Sequence, residues 1–129
     1  MKEFKYIASG LVENGNASAR KGGYPTANLA METLPDILQG IYLGYATIEN
    51  EEKIPSIIFF GIPYALPDIK TPRFEVHLLN QALHIYGKKL TVELVWFVRE
   101  NKKFEDVEGL HTAIEEDMRI AREYFNMSS

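Results

Sequence analysis

The order in which the hydrophobic period changes along the chain sets the tightest limit on its fold. Up to about residue 98 the apolar residues come in short runs of period two, the alternation of a strand, and only the last quarter shifts to helical spacing. Ile41 to Ile48 alternates Ile41, Leu43, Tyr45 and Thr47 against Tyr42, Gly44, Ala46 and Ile48, and Asn50-Glu51-Glu52 offers a hairpin turn into Ile54 to Phe60. Arg73 to Leu79 puts Phe74, Val76 and Leu78 on one face, and Thr91 to Val98 is a β-branched and aromatic run. A first strand is predicted around Tyr6 to Val12, with Gly10 at a bend. In the last quarter, Val107, Leu110, Ile114, Ala121 and Phe125 mark one helix face, Asp106 suits its N-cap, and Arg119 and Arg122 suit its negative end. Strands followed by one helix, with no strand-helix alternation, imply an antiparallel sheet or barrel carrying a helix rather than a parallel doubly wound sheet. Gly15 to Tyr24 and Gly61 to Pro72 are rich in turn formers and predict irregular loops.

With 129 residues and 46% hydrophobic content, the chain fits one domain over residues 1–129. The net charge of -4 argues against nucleic acid as a partner, which calls for a basic face. There is no cysteine, so a disulfide scaffold and a thiolate zinc site are both excluded. Met1 to Tyr6 lacks the apolar stretch of a signal peptide, and no segment approaches the ~20 apolar residues of a membrane span. The expectation is a soluble, cytoplasmic protein without a membrane partner.

The segment Ala19 to Leu29 carries the strongest chemical signal. Adjacent Gly22 and Gly23 permit close approach of backbone amides to an anion, and Arg20 and Lys21 add charge. Pro25 stiffens the exit, and Thr26 and Asn28 offer two hard oxygen donors that point the same way if the backbone is extended. Magnesium accepts such a pair when phosphate oxygens complete its shell. A flexible loop followed by a plain turn is the competing reading. A P-loop is absent, so a nucleotide site here is of another kind. Glu75 shares a strand face with His77 and could accept a proton from a substrate hydroxyl; the competing reading is a solvent-facing glutamate. His77 and His84 are assigned no metal. Tyr86-Gly87-Lys88 reads equally well as a recognition loop or as a hairpin turn.

Together these pieces resemble the riboflavin kinase (flavokinase) family, which includes the kinase domain of bifunctional bacterial FAD synthetases. The similarity runs from about Ser9 to Phe125. The family's opening Gly-x-Val-x-x-Gly appears as Gly10 to Gly15, its Pro-Thr-Ala-Asn as Pro25 to Asn28, and its Gly-Val-Tyr as Gly40-Ile41-Tyr42. Glu-Val-His stands at Glu75-Val76-His77, and Leu-Tyr-Gly-Lys is similar to Ile85-Tyr86-Gly87-Lys88. The run Phe97 to Phe104 and the later Leu110, Ile114 and Asp117 follow in register.

The resemblance implies a six-stranded antiparallel Greek-key barrel with a C-terminal α-helix packed on it, and transfer of the ATP γ-phosphate to the 5′-hydroxyl of riboflavin, giving FMN. It implies that Thr26 and Asn28 hold magnesium, or zinc or manganese in its place, and the nucleotide phosphates. Glu75 would be the base. Gly15, Arg20, Lys21, Gly22, Gly23, Tyr24, Pro25 and Tyr86 complete the implied nucleotide and flavin contacts, in a monomer acting on small molecules. Departures from the pattern are specific. Ala19 and Gly22 replace a glycine and a leucine, the family's Asn-x-Gly-x-Arg-Pro-Thr is reduced to Phe59 to Tyr64 without its Asn, Arg or Thr, and acidic positions have become Asn80, Ala82 and His84. They leave room for an impaired barrel that binds flavin or nucleotide without turnover, or for a kinase half whose adenylyltransferase half lies outside this sequence.

Overall fold

The computed structural model describes residues 2–13, 25–79 and 85–127. Six strands form: β1 (Lys2–Val12), β2 (Ala27–Ala30), β3 (Gly40–Ile48), β4 (Lys53–Gly61), β5 (Arg73–Leu78) and β6 (Lys89–Glu100), followed by helix α1 (Val107–Tyr124). All pairings are antiparallel, and the order β1-β2-β5-β4-β3-β6 closes into a barrel through the β1–β6 pair. The run β3-β4-β5, with β2 lying beside β5, is a Greek key. The expected barrel and its terminal helix are both present.

Strand alternation sorts side chains between two cores. Ala27, Leu29, Tyr42, Ile58, Phe74, Val76, Leu90, Val92 and Leu94 fill the barrel interior. Ile41, Leu43, Ile57 and Phe59 face outward from β3 and β4 and pack against Met118 and Ala121 of α1. Trp96 and Phe97 therefore both pack, one beneath the helix and one inside the barrel. At Gly44 a Cβ would collide with the Glu93 carbonyl, so only glycine lets β3 lie this close to β6, beside a register shift.

Strand boundaries differ from the sequence expectation where the barrel supplies partners. Lys2 and Glu3 pair with Phe97 and Trp96, so β1 starts earlier than Tyr6, and β6 likewise runs beyond Thr91 to Val98 at both ends. The turn between β3 and β4 takes in Glu49, whose φ is +56°. Helix α1 starts where Asp106 caps it, the carboxylate accepting from the Gly109 amide at 2.8 Å. The helix is also tied down electrostatically. Arg99 on β6 grips Asp117 through Nε–Oδ1 at 2.9 Å and Nη2–Oδ2 at 2.7 Å.

Candidate functional site

Strands β2 and β5 bring the predicted residues together. Asn28 pairs in register with Glu75, and Ala27 with Val76. Because Ala27, Leu29, Phe74 and Val76 point into the barrel, Thr26, Asn28, Arg73, Glu75 and His77 share the opposite face, toward the helix side. There Thr26, Asn28 and Glu75 are only 6%, 4% and 4% exposed. The plain-turn reading of Pro25 to Asn28 fails, since Ala27–Ala30 is a strand flanked by β1 and β5. The solvent-facing reading of Glu75 fails by its burial.

Buried polar groups need partners, and Asn28 finds them in Glu75 and Arg73. With its nitrogen turned toward β5, the Asn28 carboxamide donates to Glu75 Oε2 at 3.3 Å and accepts from Arg73 Nη2 at 2.9 Å. His77 Nδ1 donates to the Pro25 carbonyl at 2.7 Å, which fixes the backbone immediately before Thr26. Burial pushes the His77 imidazole below its ordinary value of 6.5, against the opposing pull of the Pro25 bond, and the nearby Arg122 charge adds to the lowering. It is therefore neutral at pH 7, and its proton sits on the nitrogen that faces Pro25.

Two concavities meet here. A small cavity of about 50 Å³ is lined by Thr26, Glu75, His77, Phe59, Ile114 and Met118 among others, so Thr26 and Glu75 border one space. Ile41, Phe59, Ile114 and Asp117 also line a larger cleft of about 250 Å³ between the start of α1 and the β4–β5 connection. That cleft is walled by Tyr64, Phe104 and Leu110, and Arg99 and Lys102 place cations 5.7 and 5.5 Å from the centre of the Phe104 ring. Its outer wall is pinned by a small amide cluster. Ile62 donates its N–H to Gln39 Oε1 at 3.0 Å, and its carbonyl accepts from Asn101 Nδ2 at 3.0 Å.

The residues fit a hard divalent cation that shares its shell with phosphate. Thr26 and Asn28 are oxygen donors two positions apart on one face. Among the described residues no cluster of three His, Cys, Asp or Glu could hold a metal by itself.

Other expectations land elsewhere. Gly15, Arg20, Lys21, Gly22, Gly23 and Tyr24 lie outside the described residues, as do Asn80, Ala82 and His84. Tyr86 is 43% exposed in the turn before β6 and lines neither cavity. That turn is stitched to the end of β1, Gly87 donating to the Val12 carbonyl at 2.9 Å, while Glu13 donates to the Asn28 carbonyl. Tyr86 thus stands at the barrel end where β1 finishes. The residue reading gave no role to Arg73, although period two places it on the Glu75 face. The cleft was not foreseen either, since its residues come from β3, β4, β6, α1 and two connections.

The sequence model of the flavokinase family, described as riboflavin kinase, matches residues 2–125. A bifunctional riboflavin kinase/FMN adenylyltransferase of Buchnera aphidicola is 33% identical over 123 residues, 95% of this chain and 39% of the relative. The protein of the same description from Pseudomonas fluorescens is 33% identical over 88% of this chain and 36% of its own length. The chain thus spans well under half the length of these relatives. Among solved structures, a riboflavin kinase from Trypanosoma brucei shares the fold with a TM-score of 0.69 at 18% identity, covering 98% of this chain and 82% of that one. A Streptococcus pneumoniae structure described as a macrolide-efflux protein superposes with a TM-score of 0.74 at 28% identity, covering 92% and 38%. Among the described residues no helix is long and apolar enough to cross a membrane. With its family pattern matched over nearly its whole length and its barrel shared with a riboflavin kinase, the chain belongs to the flavokinase family.

Proposed function

We propose that this chain is a riboflavin kinase, moving the γ-phosphate of ATP to the 5′-hydroxyl of riboflavin to give FMN and ADP. The observation that carries the reading is Glu75, an almost fully buried acidic residue that lines the same cavity as Thr26 and is bonded to Asn28. The flavin ring is placed in the larger cleft, where Ile41, Phe59, Tyr64 and Leu110 offer apolar contacts beside the cation-covered Phe104 ring. Its ribityl tail then follows the shared wall of Phe59 and Ile114 into the smaller cavity, bringing the terminal hydroxyl to Glu75.

Glu75 takes the hydroxyl proton as the O–P bond forms and the bond to the bridging oxygen of ADP breaks. Asn28 holds the carboxylate in place by donating to Oε2, and His77 holds Pro25 so that Thr26 is presented at a fixed angle. Thr26 and Asn28 are the residues that would hold magnesium, which when bound neutralises charge on the transferring phosphoryl group. Burial beneath α1 keeps water away from the carboxylate. Pro25, Tyr86 and the segment with Gly15, Arg20, Lys21, Gly22, Gly23 and Tyr24 complete the proposed nucleotide contacts.

The reading extends to a single kinase domain over residues 1–129, monomeric and cytoplasmic, with small molecules as its partners. Among the described residues nothing favours an impaired barrel. The cleft wall next to the altered Phe59 to Tyr64 element is formed and anchored by Gln39 and Asn101. Incubation with riboflavin, ATP and magnesium, with FMN followed by chromatography, tests the proposal. Absence of FMN across nucleotides and divalent metals removes it.

A further inference from the structure

The geometry points to Arg73 as a phosphate-binding residue of this site, one that rests on the Asn28 amide when no nucleotide is present and engages the phosphate chain when one is. The inference depends on the proposed placement of the metal at Thr26 and Asn28.

Four observations lead to it. Arg73 opens β5 and, by strand alternation, shares the face of Glu75 and His77. Its Nη2 lies 2.9 Å from the Asn28 carboxamide oxygen, the atom proposed as a metal ligand. With a magnesium–oxygen bond of about 2.1 Å, the guanidinium nitrogen would sit no more than about 5 Å from the ion. A phosphate oxygen bound on the side of that ion facing β5 is then within reach of the arginine.

Charge decides the next step. A guanidinium and a divalent cation on one carbonyl oxygen repel each other, so metal binding displaces Arg73 from Asn28. Two anions can then receive its planar, forked donor set, the Glu75 carboxylate on the same strand face and the phosphate chain carried in with the metal, and the more highly charged phosphate chain is the stronger acceptor. Asn28 stands between Arg73 and Glu75 in the hydrogen-bond chain, so the cation lies at the phosphate end and the carboxylate at the hydroxyl end. A register observation agrees. Arg73 pairs with Gly61, inside the segment in which the family pattern's own arginine is absent. This chain thus carries a guanidinium alongside that segment from the neighbouring strand.

The test compares the full chain with its Arg73→Gln and Arg73→Lys variants by calorimetric titration with magnesium ADP, riboflavin fluorescence quenching, thermal unfolding, and KM for magnesium ATP. Gln keeps an amide donor for the Asn28 oxygen but removes the charge. The expected result for Arg73→Gln is a loss of about ten- to hundred-fold in magnesium ADP affinity and a matching rise in KM. Riboflavin affinity and unfolding temperature should stay unchanged. The salt dependence of ADP binding should become shallower, since one screened charge has gone, and Arg73→Lys should recover part of the affinity. Unchanged ADP affinity and salt dependence in Arg73→Gln would overturn the inference, as would an equal loss for ADP and riboflavin with a lower unfolding temperature. If the unaltered chain binds no magnesium ADP and makes no FMN, it is instead the proposed kinase reading that has failed.

Discussion

Replacing Glu75 by Gln removes the proton acceptor while leaving the site's shape almost untouched. In the folded protein the side chain is 4% exposed and accepts from the Asn28 amide at 3.3 Å. The Gln carbonyl oxygen can accept that same bond, so the substitution creates neither a cavity nor an unpaired donor on Asn28. Folding stability should therefore change by less than about 1.5 kcal/mol, the scale of one hydrogen bond. What goes is general-base assistance, which contributes about 10²- to 10⁴-fold. At 1.36 kcal/mol per decade this raises the barrier by roughly 3–5 kcal/mol. FMN formation under saturating riboflavin and magnesium ATP, measured beside riboflavin fluorescence quenching, separates the two effects. The loss should fall on kcat, with riboflavin affinity within about two-fold of the parent. A kcat within ten-fold of the parent, or a loss carried entirely by KM, would show that Glu75 is not the base.

Three further outcomes follow from the same structure. Thr26→Ala removes one proposed metal oxygen and should raise the magnesium concentration needed for half-maximal FMN formation, with riboflavin binding unaffected in the fluorescence assay. Asp117→Ala strands Arg99 beneath α1; Asp117 is 6% and Arg99 28% exposed at the side chain, so the expected cost is about 2–4 kcal/mol in urea unfolding, below the full figure for a completely buried pair. His77 is held below its ordinary value of 6.5, so as the pH falls below that point the unfolded chain takes up a proton that the folded chain refuses. Stability should therefore drop from about pH 6.5 downward until the folded imidazole also protonates, and His77→Asn, which can still donate to the Pro25 carbonyl, should flatten that slope in denaturation curves taken between pH 5 and 7.

The sequence made some elements legible because their physics is local. Period two in Ile41 to Ile48 and Arg73 to Leu79 gave both the strands and the side-chain faces, and hence Glu75 beside His77. Asp106 announced its helix because an N-cap is chosen by its own side chain. Strand β2 was not legible from propensity: Ala27–Ala30 is four residues long, contains Asn28, and becomes a strand because β1 and β5 lie on either side. Resemblance supplied the barrel, which single strands could not. The cleft stayed hidden for a related reason. Phe59 and Tyr64 lie far along the chain from Phe104 and Leu110, and nothing in their local pattern says that α1 lies across the outer face of β3 and β4. Arg73 was visible on its strand face, but its bond to Asn28 depends on the β2–β5 register, which no local motif encodes.

A crystal structure of the full chain with magnesium ADP and riboflavin tests the central claim most directly. The account predicts the ion on the Thr26 hydroxyl and the Asn28 amide oxygen, with the flavin 5′-oxygen within hydrogen-bond reach, about 2.6–3.2 Å, of a Glu75 carboxylate oxygen. An ion held by other residues, or a ribityl terminus that ends away from Glu75, would contradict it.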